Sequence, residues 1–226
     1  MSRGFSLNRF DMEEFRIQFR ECGRYSKSRK AALLMKTIAI DIDDTLNNFT
    51  EILRGRAFSH DESYPFPAET FDKYLEMLRT ERAGEDDLLS TEFSFFRQRI
   101  NGECFELAVA RGGAAEFVRW LRDTGWRIVI CTQRDLRRTD GATRKWLKEN
   151  GIPFDYLFIA VDKLGFCKDW GIEYLVDDHL FSVRYADEYG IKVFYPIMAK
   201  HDKTAAKMAR GFTSFTEVRQ WIQRQN

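Results

Sequence analysis

The sequence predicts an α/β fold in which one parallel β-sheet is covered by helices on both faces. After residue 110, short apolar segments alternate with longer amphipathic ones, and this alternation is typical of parallel strands joined by helical crossovers. Glycines stand between the predicted helices and the strands that follow them, as helix C-termini favour. These glycines are Gly125, Gly151, Gly171 and Gly190. With 226 residues, the chain can form one such domain with an insertion, or two small domains.

The first strand is predicted at 37–40, where a short apolar run ends at Asp41. Further strands are expected where later apolar runs lie between helical patterns. They are predicted at 126–131, 156–161, 173–176 and 191–195. The helices are predicted at 139–150, 163–170 and 179–189, followed by a C-terminal amphipathic helix that contains Trp221.

Residues 49–110 interrupt this alternation. They lack the period-two pattern of strands and are rich in charged and aromatic side chains, with helical patterns at 69–79 and 87–100. We interpret 49–110 as a helical cap inserted into the sheet domain. The sheet domain would then comprise residues 35–48 and 111–226.

Residues 1–34 form a basic N-terminal extension in which basic residues are interleaved with phenylalanines. Two interpretations are open. A basic amphipathic helix over 11–22 would bind a partner or an acidic surface. Otherwise the segment is an appendage, and the functional chain starts at Met35, just before the first strand.

Composition narrows the class of protein only in part. The chain has 36 Lys and Arg against 35 Asp and Glu, so its net charge of +1 favours no class of partner. The four cysteines stand apart without a CxxC pair, and we expect free thiols. No apolar run approaches the ~18 residues that span a bilayer. We therefore expect a cytoplasmic protein without a membrane partner.

Two pairs of acidic residues directly follow predicted strands. Asp41 and Asp43 follow the first strand, and Asp177 and Asp178 follow the strand at 173–176. The carboxyl ends of parallel strands lie at one edge of a sheet, so the two pairs can converge there. Close carboxylates repel each other unless a cation or a shared proton lies between them, and a hard divalent ion such as Mg²⁺ suits oxygen ligands. The alternative is that these residues cap helices in polar turns.

Two further polar side chains follow strands. Thr132 comes after the strand at 126–131, where a hydroxyl and the next backbone N–H groups can hold a phosphoryl oxygen. Lys163 comes after the strand at 156–161 and can neutralise phosphate charge. Lys168, on the same predicted helix, is an alternative for that role.

Taken in chain order, these features resemble the four motifs of the haloacid dehalogenase (HAD) superfamily. Asp41-Ile42-Asp43-Asp44-Thr45 resembles motif I, Asp-x-Asp-x-Thr, and Asp177-Asp178 resembles the paired acids of motif IV. Thr132 is similar to the Thr or Ser of motif II, and Lys163 is similar to the Lys of motif III. The resemblance implies a Rossmann-like parallel sheet and a helical cap of the C1 type.

The resemblance also implies a reaction. Asp41 would attack phosphorus and form an aspartyl-phosphate, and Asp43 would act as general acid and then as general base. The Asp41 carboxylate, the Asp43 carbonyl and Asp177 would hold Mg²⁺. The expected activity is therefore that of a Mg²⁺-dependent phosphate-monoester hydrolase. One departure is Asp44, a position at which many members have Gly.

The remaining matched residues would bind phosphate or support the site. Thr132 and Lys163 would bind the phosphoryl oxygens while charge redistributes in the transition state. Thr45 and Asp178 would lie behind the metal ligands, with Asp178 acting indirectly or through a water.

Within the superfamily, the layout is similar to that of the 5′(3′)-deoxyribonucleotidases. The likeness lies in the helical cap, the Cys-Thr pair at 131–132, the Asp-Lys pair at 162–163 and the Asp-Asp pair at 177–178. It implies a 5′-nucleotidase that acts on (deoxy)nucleoside monophosphates. Aromatic side chains in or beside the cap would stack on the base, or else pack the cap's own core. The candidates are Phe49, Phe66, Phe93, Phe95 and Phe96.

Two other functions stay open. A basic stretch follows Thr132, and its run at 143–147 resembles the 3′-phosphatase module of phage-type polynucleotide kinase/phosphatases. That likeness implies a nucleic-acid end as substrate, with Arg134 on its phosphate. The other function is that of a catalytically idle HAD-like module that binds a partner. The sequence does not decide the oligomeric state.

Overall fold

The computed structural model describes residues 36–58, 101–134, 136–198 and 205–225. The strands are β1 (Thr37–Ile40), β2 (Arg127–Thr132), β3 (Tyr156–Ile159), β4 (Tyr174–Val176), β5 (Lys192–Pro196) and β6 (Ala209–Phe212). The helices are α1 (Phe49–Phe58), α2 (Asn101–Leu107), α3 (Ala114–Asp123), α4 (Leu136–Glu149), α5 (Lys163–Asp169), α6 (Leu180–Tyr189) and α7 (Phe215–Arg224). Several predictions lie outside the described residues: the extension 1–34, the cap helices at 69–79 and 87–100, and Phe66, Phe93, Phe95 and Phe96.

The six strands form one sheet in the order β3-β2-β1-β4-β5-β6, and all neighbouring pairs are parallel. This confirms the predicted α/β class. The register places Ile40 beside Ile130 of β2 and beside Val176 of β4. Residues that follow these strands therefore lie side by side at one edge of the sheet, at the point where the strand order reverses direction along the chain.

The sheet has a hydrophobic core on each face, because successive side chains of a strand point to opposite sides. Ile38 and Ile40 pack on one face with buried residues of α3, α4 and α7. Ala39 packs on the other face with residues of α5 and α6. The two cores confirm the predicted arrangement of three layers.

The strands and helices predicted between residues 126 and 195 agree with the observed ones to within a few residues, but α1, α2, α3 and β6 were not predicted. Strand β6 was not predicted, because its sequence Ala-Arg-Gly-Phe shows neither a continuous apolar run nor a full alternation. It lies at the edge of the sheet beside β5, and the guanidinium of its exposed Arg210 lies over the Trp221 ring of α7, 3.1 Å from the ring centre. The four predicted helix-ending glycines all adopt a positive φ, as expected for helix C-termini.

The chain leaves the sheet domain and returns to it at adjacent points. Asn47 pairs with Ala110 in an isolated antiparallel bridge, and Arg111 donates from its backbone N–H to the carbonyl of Leu46 at 2.8 Å. This closure places both ends of the predicted cap segment next to β1. Every helix in the described part of the chain is too short or too polar to cross a membrane.

Candidate active site

The two acidic pairs meet at the carboxyl edge of the sheet. One carboxylate oxygen from each of Asp41, Asp177 and Asp178 lies within 4.8 Å of the others, and all three residues are buried. The backbone holds them together, since the N–H of Asp41 donates to the carbonyl of Val176 at 2.9 Å. Below, these three aspartates and Lys163 are called the acid cluster.

Lys163 lies inside the acid cluster. Its Nζ is 2.9 Å from Oδ1 of Asp41 and 2.6 Å from Oδ1 of Asp177. Lys163 is the first residue of α5. The Asp162 carboxylate caps this helix by accepting from the backbone N–H of Gly165. Lys168, the sequence-based alternative, is exposed on the same helix and lies 5.7 Å from the ring centre of Tyr189. The geometry therefore selects Lys163 as the lysine of this site.

Burial and charge act together on the cluster's titratable groups. Burial raises the pKa of Asp41 well above its usual value, and the neighbouring carboxylates of Asp177, Asp178 and Asp43 raise it further, while Lys163 opposes them. Burial alone would lower the pKa of Lys163, but the carboxylates of Asp177 and Asp41 overcome this effect and raise it. The cluster thus has more acidic than basic groups in a place with little water.

The donor set of the cluster fits a hard divalent cation. It offers three carboxylates and no sulfur or imidazole ligand among the described residues, as Mg²⁺ prefers. The three oxygens lie within 4.8 Å of one another, and two ligands on opposite sides of Mg²⁺ stand about 4.2 Å apart, so small side-chain adjustments bring the oxygens onto one ion. A divalent charge would also offset the surplus of carboxylates over the single ammonium of Lys163.

Two hydroxyls hold the carboxylates in place. The hydroxyl of Ser182, buried in the first turn of α6, donates to Oδ2 of Asp177. The hydroxyl of Thr45 donates to Oδ1 of Asp178 at 3.2 Å and accepts from the N–H of Asp178 at 3.0 Å. Thr45 was predicted beside the metal ligands; Ser182 was not predicted. Its only sequence signal is its position one turn after the acidic pair.

Thr132 ends β2 and is fully buried next to this edge. Its hydroxyl oxygen accepts from the backbone N–H of Arg134 at 3.2 Å, which fixes the turn that follows the strand. The predicted contact between Thr132 and a phosphoryl oxygen remains a prediction.

Asp43 lies outside the acid cluster and is held by Arg134. Its carboxylate is not among the three that lie within 4.8 Å of one another. Instead, Nε of Arg134 donates to its Oδ2 at 2.9 Å and Nη2 donates to its Oδ1 at 2.5 Å. Asn47 also donates to Oδ1, at 3.2 Å. Metal binding by Asp43 through its carbonyl and phosphate binding by Arg134 both remain predictions.

Asp44 stands at a position where many HAD members have glycine, and its conformation and contacts suit an aspartate. Its φ of 57° lies in the left-handed region, which favours Gly and which Asp tolerates better than most residues. Its carboxylate accepts from both the backbone N–H and the hydroxyl of Thr50, in the first turn of α1. The aspartate therefore joins the turn after β1 to that helix.

The structure of this chain is similar to solved structures of known proteins, although its sequence is not. No protein-family model and no curated protein matches the sequence. A haloacid dehalogenase-like hydrolase from Streptococcus pneumoniae aligns with 84% of this chain and 99% of its own, with a TM-score of 0.60 and 16% identity. The HAD-hydrolase YfnB of Bacillus subtilis, solved with magnesium, aligns over 84% and 99% with a TM-score of 0.57 and 15% identity. CbbY of Rhodobacter sphaeroides, in complex with phosphate, aligns over 82% and 96% with a TM-score of 0.52 and 18% identity.

The chain has the fold of the haloacid dehalogenase-like hydrolases. In this HAD-like fold the acid cluster lies beyond the carboxyl ends of β1 and β4. At this place in the sheet the chain, after adding β2 and β3 on one side of β1, continues with β4 on the other side. The side chains that the sequence matched to the four motifs end β2, follow β1 and β4, or begin α5.

One of the aromatic residues predicted to stack on a substrate base, Phe49, lies in the described part of the chain. Phe49 is only 8% exposed and stacks on Phe105 with ring centres 5.1 Å apart. Phe105 in turn lies under the guanidinium of Arg134, at 4.0 Å from its ring centre. These contacts favour a packing role for Phe49 over stacking on a base. Sequence reasoning did not single out Phe105, because a phenylalanine in a helix carries no local mark of such a contact.

Proposed function

We propose that this chain is a Mg²⁺-dependent phosphate-monoester hydrolase in which Asp41 is the nucleophile. The observation that carries the proposal is the acid cluster: a buried Asp41 with Lys163 at 2.9 Å and two further aspartates within 4.8 Å. Two proteins of the same fold support it, since one was solved with magnesium and another with phosphate.

Asp41 and Asp177 would hold the metal through their carboxylates, together with the Asp43 carbonyl, and Asp178 would stand beside them. Bound Mg²⁺ would neutralise phosphoryl charge and keep Asp41 ionised despite the burial that raises its pKa. The three carboxylates suit this ion because they supply oxygen ligands only.

In the first step, a carboxylate oxygen of Asp41 forms a bond to phosphorus while the bond from phosphorus to the leaving oxygen breaks. Asp43 donates its proton to that leaving oxygen, so that an alcohol departs and not an alkoxide. Lys163 and the Thr132 hydroxyl would bind the phosphoryl oxygens during the transfer. The product is an aspartyl-phosphate on Asp41.

In the second step, Asp43, now a carboxylate, takes a proton from a water molecule as the water oxygen attacks phosphorus. The bond between phosphorus and the Asp41 oxygen breaks, and inorganic phosphate is released. Asp41 regains its carboxylate and Asp43 regains its proton, so both residues are ready for another cycle.

For the substrate, we propose a (deoxy)nucleoside monophosphate with a 5′-phosphate. The motif layout at 130–132, 162–163 and 176–178 supports this choice through its similarity to the deoxyribonucleotidases. A helical cap at 49–110 also suits a small substrate, because closure over it would exclude water from the phosphoryl transfer.

One observation bears on the alternative substrate, a nucleic-acid end. The basic stretch after β2 would provide its phosphate contacts, but described members of it are paired with acids. Arg144 pairs with Asp140 at 2.8 Å, and Lys145 lies 3.6 Å from Glu106. These pairs reduce the local positive field, which favours the small substrate.

A substrate panel tests both parts of the proposal. We would assay 5′- and 3′-nucleoside monophosphates, sugar phosphates and 3′-phosphorylated oligonucleotides, with Mg²⁺ and with excess EDTA. We expect turnover that requires Mg²⁺ and is fastest on 5′-nucleoside monophosphates. Preference for the oligonucleotides, with a steep loss of binding as salt rises, would favour the nucleic-acid end. No hydrolysis of any phosphate would leave the idle binding module as the better interpretation.

A further inference from the structure

We propose that Arg134 is a positioning residue, which acts on the reaction through Asp43 and not by contact with the phosphoryl group. This inference rests on the proposed function, because it concerns the proton donor of that reaction. The side chain of Arg134 is fully buried, whereas that of Asp43 is 22% exposed. Of the two partners, only the carboxylate is open to an arriving substrate.

The contacts of Arg134 leave the guanidinium little freedom. Two of its nitrogens donate to the two oxygens of Asp43, at 2.9 and 2.5 Å, and a third donates to the hydroxyl of Thr143 at 3.2 Å. One face of the group is covered by the Phe105 ring. A bidentate pair fixes the rotation of a carboxylate as well as its position, which a single hydrogen bond does not do.

The residues that hold Arg134 come from outside the acid cluster. Thr143 belongs to α4, and Phe105 belongs to α2, the helix that leads back from the predicted cap. Phe49, in the first turn of α1, stacks on Phe105. The helices at both ends of the predicted cap thus contact or support the group that orients Asp43. Through Arg134, these helices can affect the orientation of the Asp43 carboxylate without contacting the acid cluster.

Leaving groups of different basicity distinguish positioning from phosphate binding. Thymidine 5′-monophosphate must expel an alkoxide and needs a proton donor, whereas 4-nitrophenyl phosphate expels a stable anion and needs little help. We expect Arg134→Lys to lower kcat/KM about 10- to 100-fold on the first substrate and less than about 3-fold on the second. Equal losses on both, with a raised inhibition constant for inorganic phosphate, would overturn the proposal. If wild type does not hydrolyse thymidine 5′-monophosphate, phenyl phosphate takes its place as the more demanding leaving group.

A double-mutant cycle tests whether the effect runs through Asp43. In an Asp43→Asn background the proton donor is already lost, so adding Arg134→Lys should change kcat/KM by less than about 3-fold. Losses that multiply would show that Arg134 acts independently of Asp43, and the proposal would fall.

A milder pair of variants covers the case in which Arg134→Lys does not fold. Thr143→Val removes one hydrogen bond from the guanidinium and should give the same selective loss on the alkyl phosphate, at a smaller size. Lys145→Gln, on the same helix but in an exposed ion pair, is the matched control and should show no selectivity. If Thr143→Val behaves like that control, the proposal is wrong.

Asp41→Asn separates this inference from the proposed function. If that variant keeps turnover, or if wild type hydrolyses none of these phosphates, the proposed function fails and the inference falls with it. If Asp41→Asn is inactive but Arg134→Lys loses activity equally on all substrates, only the role of Arg134 is refuted.

Discussion

The two sides of the candidate site are built in different ways. The acid cluster stands on the ends of β1 and β4 and on the start of α5, where the sheet register fixes each position. The pair of Asp43 and Arg134 instead depends on Thr143 of α4, the helix that follows Arg134, and on Phe105 of α2, which lies well before Arg134 in the chain. Motifs at strand ends are therefore visible in a sequence, whereas support that comes from neighbouring helices is not.

The two sides also differ in charge balance. The acid cluster has three aspartates for one lysine, whereas Asp43 alone is paired with one cation, Arg134, through two hydrogen bonds. Removing an acidic group from the cluster should thus relieve repulsion, and removing its cation should increase it. The following variants test this difference, from the largest expected effect to the smallest.

Asp41→Asn should lower turnover by at least about 10⁴-fold, because the amide cannot form the phosphoryl-enzyme. The measurement is Mg²⁺-dependent phosphate release, with far-UV circular dichroism to check that the chain stays folded. Asp140→Asn removes an exposed aspartate from the surface pair with Arg144 and serves as the control, with turnover close to wild type. Full activity in Asp41→Asn would mean that another residue is the nucleophile.

Lys163→Met should lower the free energy of unfolding by about 3–5 kcal/mol in metal-free protein, since it leaves buried carboxylates without their ammonium. Lys168→Met, an exposed position on the same helix, should change it by less than about 0.5 kcal/mol. Urea denaturation of both variants measures the difference. Similar midpoints would contradict the assignment of Lys163 to the cluster's charge balance.

The pH dependence of metal-free stability should report on Asp41. Its pKa is raised in the folded state, so the folded chain holds this proton at pH values where the unfolded chain has lost it. The free energy of unfolding should therefore fall by about 1.4 kcal/mol for each pH unit between about 4 and the raised pKa. Melting temperatures in EDTA between pH 4 and 8 measure this, and Asp41→Asn should flatten the curve. An equal slope in the variant would assign the loss to other groups.

Removal of residues 1–34 should have the smallest effect, because the acid cluster and its supports all lie after residue 36. We expect kcat to stay within about 2-fold of the full chain on the same substrate. Steady-state kinetics of the two proteins tests this. A large fall in kcat would show that the extension contributes to the site.

The sequence was sufficient for most of the parallel sheet and for the aspartates of the acid cluster, for one physical reason. Buried strands and helix ends carry local patterns, and the ends of neighbouring parallel strands must meet. Ser182, Thr143 and Phe105 carry no such pattern, because each matters only through a partner that the fold brings close. The orientation of Asp43 was missed for the same reason: the Asp-x-Asp spacing does not say which oxygens face which neighbours.

The aspartate at position 44 has a mechanical consequence. With Gly there, the turn after β1 would be relaxed in its backbone, but it would lose both of the bonds to Thr50. In this chain, those bonds tie the first turn of α1 to the loop that runs from Asp43 to the bridge at Asn47. A displacement of the first turn of α1 would therefore act directly on the loop next to Asp43.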